Sequence, residues 1–221
     1  AILVVTRTAT DDRGRGRLSL LVVPTDAPGL TSTLIPVQAV TPEKQFTLFF
    51  DDVRVPAENL IGAENDGLRQ VFMGLNPERI MGAALGNGIG RYALDKASAY
   101  ARERKVWDVP IGAHQGLSHP LAHAKIQLEL ARLMTQRAAS LHDAGDPGSA
   151  EASNMAKYAA AEAGILALDQ AIQTHGGNGL ATEYGLATLW GPVRLMRTAP
   201  ISREMILNYV AQHSLNLPRS Y

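Results

Sequence analysis

The 221-residue sequence contains no cysteine. Disulfide bonds, thiolate catalysis and cysteine-ligated zinc are therefore excluded. The sequence also has no excess of either charge, because 21 basic residues balance 21 acidic ones. This balance argues against nucleic acid or an anionic membrane surface as a main partner. No apolar run reaches the roughly 18 residues of a membrane-spanning helix, so we predict no span.

The first five residues are apolar, and neither a methionine nor a basic leader precedes them. A stretch this short, without a basic leader, is typical of a strand rather than of a signal peptide. Because the sequence starts inside such a strand, we expect it to be a piece of a longer protein.

The first sixty or so residues have the composition of β-structure. β-branched residues, aromatic residues and leucine are concentrated in short runs, which is typical of strands. The predicted strands are Ile2–Thr6, Leu18–Val23, Thr33–Val37 and Phe46–Phe50. Arg13–Arg17 is predicted to be a hairpin loop, and Asp51–Pro56 is predicted to extend the last strand up to its proline.

From about Gly67 the sequence becomes helical. A long helix is predicted from Pro77 to about Arg104, with Asn76 as its N-cap, because proline suits the first helical turn. Further helices are predicted for residues 118–142, for 149–173, and from about Glu183 and Ser202. The fold class is therefore α+β: residues 1–62 would complete a β-sandwich or barrel, and residues 63–221 would form an antiparallel four-helix bundle.

Three glycines recur every four residues on the long helix, at Gly82, Gly86 and Gly90. This spacing places them on one face and predicts close contact with another helix. A phosphate-binding loop at Gly86–Gly90 is not favoured, because no strand leads into it.

His119 and His123 have the spacing of metal ligands on one helix face. No third ligand accompanies them, so they are interpreted as a surface pair and no metal site is predicted.

Two polar segments are candidate ligand contacts. Arg104–Gln115 places a guanidinium, an indole and an amide in one loop, and arginine is the preferred bidentate partner of phosphate. Gln173–Gly179 contains paired glycines at a helix end, which let backbone amides approach a ligand. Each segment could instead be no more than a loop or a helix C-cap.

Together and in this order, these segments resemble the acyl-CoA dehydrogenase family, and the resemblance covers nearly the whole chain. Phe50–Gly62 is similar to the end of the family's middle β-domain. Gly74–Arg79 is similar to the start of its C-terminal helical bundle. The two polar segments are similar to its flavin-contact motifs, and Glu183-Tyr184 follows at the expected distance.

The resemblance implies an FAD cofactor held between subunits of a homo-oligomer, a dimer or tetramer. Residues matching the family's flavin contacts are Arg104, Trp107, Gln115, Gln173, Gly176, Gly177, Ser202 and Glu204. Arg104 and Gln115 would reach the pyrophosphate of a neighbouring subunit's flavin, and Gln173, Gly176 and Gly177 would make a second contact to the same moiety. Trp107 stands where the family usually has phenylalanine, and Asp108 stands where it usually has glycine.

The implied reaction is α,β-dehydrogenation of an acyl-CoA thioester in fatty acid metabolism. Most family members carry the base near the C-terminus, where this sequence has Pro200. A minority, the isovaleryl and long-chain type, place it on the earlier helix before an arginine, which matches Glu78-Arg79. Glu78 is therefore the predicted base, and Asn76 and Arg79 are predicted substrate contacts. Without the family, Glu78 would be interpreted as a favourable charge in a helix's first turn.

Pro200 also lacks the N–H that the family uses to hold the thioester carbonyl. This leaves open a second hypothesis, a family member that binds flavin or CoA without dehydrogenating, such as the non-catalytic subunit of a hetero-oligomer. A third is a ligand-free helical interaction module. The family further implies electron-transfer flavoprotein as a partner, and a location in the bacterial cytoplasm or, in a eukaryote, the mitochondrial matrix.

Overall fold

The computed structural model describes residues 1–39 and 41–219 of the chain. It divides into two compact units, Ala1–Leu75 and the remainder from Asn76 onward. The first unit contains the long strands and the second contains most of the helices, so the predicted α+β class is confirmed. The domain division at residue 62 stays a prediction.

The first unit contains a three-stranded antiparallel sheet and a separate hairpin. The sheet has the order β1 (Ile2–Thr10), β2 (Gly16–Val23), β5 (Leu60–Ile61). The hairpin pairs β3 (Leu30–Ile35) with β4 (Gln45–Phe50). All four long strands predicted from composition are therefore present, each with shifted ends.

Two predictions about the connections are wrong. The turn between β1 and β2 lies at Asp11–Arg15, earlier than predicted, because the Asp11 carboxylate accepts the N–H groups of Arg13 and Arg15 at 2.9 and 2.8 Å. Asp51–Pro56 does not extend β4. There Asp52 adopts a φ of 48°, which turns the chain out of the extended conformation.

Three long helices dominate the second unit. They are α1 (Gly67–Glu103), α2 (Gln115–Asp143) and α3 (Ser149–His175). The short helices α4 (Trp190–Leu195) and α5 (Arg203–Tyr209) complete the bundle. A short connection between α2 and α3 makes them antiparallel. Within the described residues, no helix is long and apolar enough to cross a membrane.

The start of α1 was predicted wrongly. Pro77 lies inside this helix rather than in its first turn, and Asn76 is not its N-cap. Leu68, Arg69 and Gln70 open this stretch with good helix formers, and the helix starts at Gly67 despite the bond that Pro77 cannot donate. Glu78 is therefore far from the helix start, and the first-turn dipole interpretation of this residue is wrong.

The glycine face of α1 makes the predicted close contact, and its partner is α3. A Cβ atom added to Gly86 would lie 3.0 Å from the Ala160 carbonyl oxygen. One added to Gly90 would lie 3.0 Å from the Cα of Gly164. Small residues on both helices thus let the two backbones approach each other directly.

The two short helices were predicted with unequal success. The first begins at Trp190, after a 3₁₀ turn, rather than near Glu183, where the chain forms turns. The second begins as predicted: Ser202 is the N-cap of α5, and its hydroxyl accepts the Met205 N–H at 3.3 Å.

Candidate active site

One candidate cluster lies on α1 around the predicted base. Arg79 is buried, with 3% of its surface exposed, and its guanidinium donates to the Asn76 side-chain oxygen at 2.9 Å. Burial lowers the pKa of Arg79 from its ordinary value, whereas the nearby Tyr209 and Glu78 oppose that change. Glu78 itself is exposed. The predicted base and the two predicted substrate contacts therefore form one group.

A buried lysine near this group, which the sequence analysis missed, is hydrogen-bonded to the C-terminal segment. Lys157 of α3 is 1% exposed, and its ammonium group donates to the Ile201 carbonyl oxygen. Burial, reinforced by the charge of Arg79, lowers the pKa of Lys157 to about 8, while Glu204 acts in the opposite direction. A lysine within an alanine-rich helix that was expected to be mostly buried was the signal in the sequence.

The segment around Pro200 lies against the same part of α1. The Cδ atom of Pro200 is 4.0 Å from the position that a Cβ atom of Gly82 would occupy. Ser202 is partly buried and Glu204 is exposed. The segment of Pro200 and the helix that carries Glu78 are thus neighbours in the fold.

The first predicted flavin motif forms a small β-hairpin. Strands β6 (Lys105–Val106) and β7 (Val109–Pro110) pair across Trp107 and Asp108, which have φ values of 52° and 65°. Positive φ at both central residues defines a tight turn that favours glycine and tolerates aspartate. This conformation explains why glycine suits the position of Asp108.

The hairpin presents its predicted contacts to the exterior of the chain. Trp107 is 83% exposed and makes an edge contact with the His114 ring, at 5.9 Å between centroids. Arg104 and Gln115 are also exposed. Within residues 1–39 and 41–219, Arg104 forms no ion pair, so its guanidinium is available to an anion.

The second predicted flavin motif is the loop that ends α3. Gly176 has a φ of 59° and stops the helix, as predicted. Gly177 does not have a positive φ, and a Cβ atom on it would meet nothing within 4 Å. Gly179 differs, because a Cβ atom there would lie 2.5 Å from the Ile172 carbonyl oxygen. Packing within the chain therefore explains Gly179 but not Gly177, which lies beside the exposed Gln173.

An aromatic cluster, not anticipated from sequence, fixes this loop against the end of α1. Tyr100 stacks on the buried His175 at 4.3 Å, and Tyr184 meets both rings edge-on. Asn178 donates to the Tyr100 hydroxyl at 3.0 Å, and Lys96 donates to the Tyr184 carbonyl at 2.6 Å. The two flavin motifs are thus both located at the C-terminal end of α1.

The predicted base and the two flavin motifs are not close together in one chain. Glu78 is separated from the end of α1 at Glu103 by about 38 Å, given a rise of about 1.5 Å per residue. The structure therefore brings the predicted site residues together as two groups. One lies around Glu78 and Ser202, and the other around Arg104 and Gly177.

His119 and His123 are both exposed on α2. Among the described residues, no three histidine or carboxylate side chains are grouped closely enough to hold a metal ion.

The sequence and the fold both have close relatives. Residues 65–215 match the family model of the acyl-CoA dehydrogenase C-terminal domain. The acyl-CoA dehydrogenase FadE12 of Mycobacterium tuberculosis is 60% identical over the whole chain, which spans 57% of that relative. Butyryl-CoA dehydrogenase from Megasphaera elsdenii superimposes with a TM-score of 0.86 at 28% identity, over 93% of this chain and 53% of that structure.

A further solved structure, the FAD complex of PigA, matches with a TM-score of 0.89 at 26% identity, over 97% of this chain and 56% of its own. The present chain thus spans little more than half the length of the relatives it matches. The family model covers most of the chain, and the identity to FadE12 extends from end to end. On this evidence the chain belongs to the acyl-CoA dehydrogenase family.

Proposed function

We propose that the complete protein dehydrogenates an acyl-CoA thioester between its α and β carbons, with FAD as cofactor. One observation carries the proposal: the part of α1 that carries Glu78 and Arg79 lies near the segment from Pro200 to Glu204, where the buried Lys157 donates to the Ile201 carbonyl and is repelled by the charge of Arg79. The family's two alternative positions for the catalytic carboxylate are therefore neighbours, and of these two positions only that of Glu78 carries a carboxylate, since the other is Pro200.

Glu78 is assigned as the base that removes the α-proton. A thioester α-proton is weakly acidic, so the carboxylate must work in a dry environment that stabilises its protonated form. Glu78 is exposed in this chain. Flavin, the acyl-CoA and the remaining half of the protein would therefore have to exclude water from it.

Arg79 and Asn76 are assigned to the substrate. Their hydrogen bond fixes the guanidinium on the helix turn that carries Glu78. A fixed, buried cation beside the base would favour negative charge that develops on the thioester during proton removal.

The residues of both flavin motifs fit an FAD cofactor. Arg104 is exposed and can take a phosphate, Trp107 offers an open indole face, and Gly177 leaves its backbone free for close approach. Ser202 uses its oxygen as an acceptor in the α5 cap, so its O–H remains free to donate to the cofactor. When bound, the flavin supplies a hydride acceptor at N5 for the β-hydrogen.

Two subunits would complete each flavin site. A separation of about 38 Å along α1 is too long for one flavin to meet both groups of residues in a single chain. We therefore assign Arg104, Trp107, Gln115, Gln173, Gly176 and Gly177 to a neighbour's flavin, and Ser202 and Glu204 to the chain's own. This sharing supports a homo-oligomer, a dimer or tetramer as in the family.

The test uses the complete protein with bound FAD under anaerobic conditions. Titration with acyl-CoA substrates of several chain lengths should bleach the flavin absorption band. Glu78→Gln should retain flavin but lose bleaching by a factor of at least about 10², as expected for removal of a general base. Glu58→Gln, an exposed glutamate in the strand unit, is the matched control and should bleach normally. Normal bleaching by Glu78→Gln would remove this residue from the mechanism.

A second candidate function is a family member that binds flavin or CoA without dehydrogenation. Pro200 favours it, because proline offers no N–H to the thioester carbonyl, and one such donor can be worth about 10²–10³ in rate. Bound flavin that no acyl-CoA bleaches, in the wild-type protein, would select this alternative.

Electron-transfer flavoprotein is the proposed electron acceptor, as the family implies. We also propose the bacterial cytoplasm as the location, since the relative at 60% identity is bacterial.

A further inference from the structure

Lys157 occupies an unusual position for a lysine. It lies on α3, a helix in which alanine is the commonest buried residue, and only 1% of its surface is exposed. Lysine is rarely buried this completely unless a partner receives its charge. Its hydrogen-bond partner here is a neutral backbone oxygen, that of Ile201.

The charges that surround this ammonium group come from two other helices. Arg79 of α1 repels it, and Glu204 of α5 attracts it. Glu78 and Tyr209 interact in turn with Arg79. Burial and the positive charge of Arg79 together lower the pKa of Lys157 to about 8. Its protonation therefore changes near the upper end of the physiological pH range.

The Ile201 carbonyl belongs to the short segment that precedes α5. Ser202 follows immediately and caps that helix, and Glu204 lies in its first turn. Both are predicted flavin contacts. A group that fixes Ile201 therefore also fixes the start of α5.

The same segment has a second, independent tie to α3. Arg197 donates twice to the Glu162 carboxylate, at 2.8 and 2.5 Å, and its carbonyl accepts the Arg203 N–H at 2.9 Å. This tie is partly exposed and does not involve Lys157. It offers a control that removes a tether from the same loop without touching the buried lysine.

We propose that Lys157 is a positioning residue: its buried ammonium group holds the Ile201 carbonyl and thereby places Ser202 and Glu204 at the flavin. The proposal rests on the function proposed above, since it assumes that these two residues contact the cofactor. Lys157 acts through the loop and is not assigned to the reacting atoms.

A pH dependence follows from this role. A charged donor makes a hydrogen bond roughly twice as strong as a neutral one. Loss of the proton above about pH 8 should therefore loosen the loop, and the affinity for flavin should fall by about fivefold as the pH rises through that value.

The test measures the dissociation constant of FAD from the complete protein between about pH 6 and about pH 10. Wild type should show the fivefold fall centred near pH 8. Lys157→Met should bind more weakly and without this step. Arg197→Met, the control, should keep the step even if its affinity is lower. A step that persists in Lys157→Met, or that disappears in Arg197→Met, would overturn the proposal.

Lys157→Gln guards against a variant that does not fold. It keeps a neutral donor and should bind FAD at the wild-type high-pH affinity across the whole range; a retained step would again refute the role. The readout is flavin affinity rather than turnover. Wild-type protein that no acyl-CoA bleaches would therefore count against dehydrogenation while leaving the Lys157 result interpretable.

Discussion

Replacement of Gly164 by alanine tests the close approach of α1 and α3. The new Cβ atom would lie 2.7 Å from the Gly86 carbonyl oxygen and 3.1 Å from a methyl of Val193. A carbonyl oxygen in the middle of a helix cannot rotate away, so the two helices would have to separate by a few tenths of an ångström. Overpacking of this kind costs about 1–3 kcal/mol.

Alanine also stabilises a helix relative to glycine, by up to about 1 kcal/mol, which partly offsets that cost. We therefore expect Gly164→Ala to lower the free energy of unfolding by about 1 kcal/mol. Gly88→Ala is the matched control on α1, since its Cβ atom would meet nothing within 4 Å. This control should gain about 0.5–1 kcal/mol from the same propensity.

The assay is urea denaturation of the complete protein, followed by far-ultraviolet circular dichroism at fixed protein and FAD concentrations. The two variants should lie on opposite sides of wild type. Equal or greater stability of Gly164→Ala compared with Gly88→Ala would show that the helices are not in the close contact described.

Three further predictions concern the site. The pKa of Lys157 falls from its ordinary value of 10.5 to about 8 on folding, so between these values the unfolded state binds more protons than the folded state. The free energy of unfolding should therefore rise with pH across this window, by up to about 3 kcal/mol. Urea denaturation at a series of pH values measures this rise, and the same rise in Lys157→Met would contradict the assignment to Lys157. Ser202→Ala removes the α5 cap and should lower unfolding free energy by about 1 kcal/mol in urea, whereas Ser202→Asn should retain it; equal losses would argue against capping. Trp107→Ala should weaken FAD binding in a fluorescence titration, with unfolding free energy changed by less than about 0.5 kcal/mol because the side chain is exposed; unaltered affinity would exclude the indole as a contact.

The regular elements were predictable because their signals are local. Short runs of β-branched residues, aromatic residues and leucine predicted the four long strands, and the change of composition after Gly67 predicted the three long helices. The predicted start of α1 at Pro77 was wrong. Asn76-Pro77 has the sequence of a helix start, but the helix already runs from Gly67 and continues through the proline, with Leu68, Arg69 and Gln70 as good helix formers in its first turns.

The candidate site was predictable only in part. The resemblance of the flavin motifs to those of the family identified the candidate site residues. The described fold arranges these residues in two groups. The Trp107–Asp108 turn could not be predicted, because neither residue is a glycine that would indicate positive φ. Lys157 was missed because its importance depends on a carbonyl 44 residues away in sequence, which only the packing of α3 brings near.

The length of α1 has a consequence for how the protein acquires its cofactor. If the two ends of this helix serve flavins in different subunits, each subunit contact creates cofactor contacts and each bound cofactor strengthens a subunit contact. Assembly and flavin uptake are then thermodynamically linked. Dilution of the protein should release flavin, and excess flavin should oppose dissociation of the subunits. The apparent affinity for FAD then depends on the protein concentration as well as on the contacts made by a single chain.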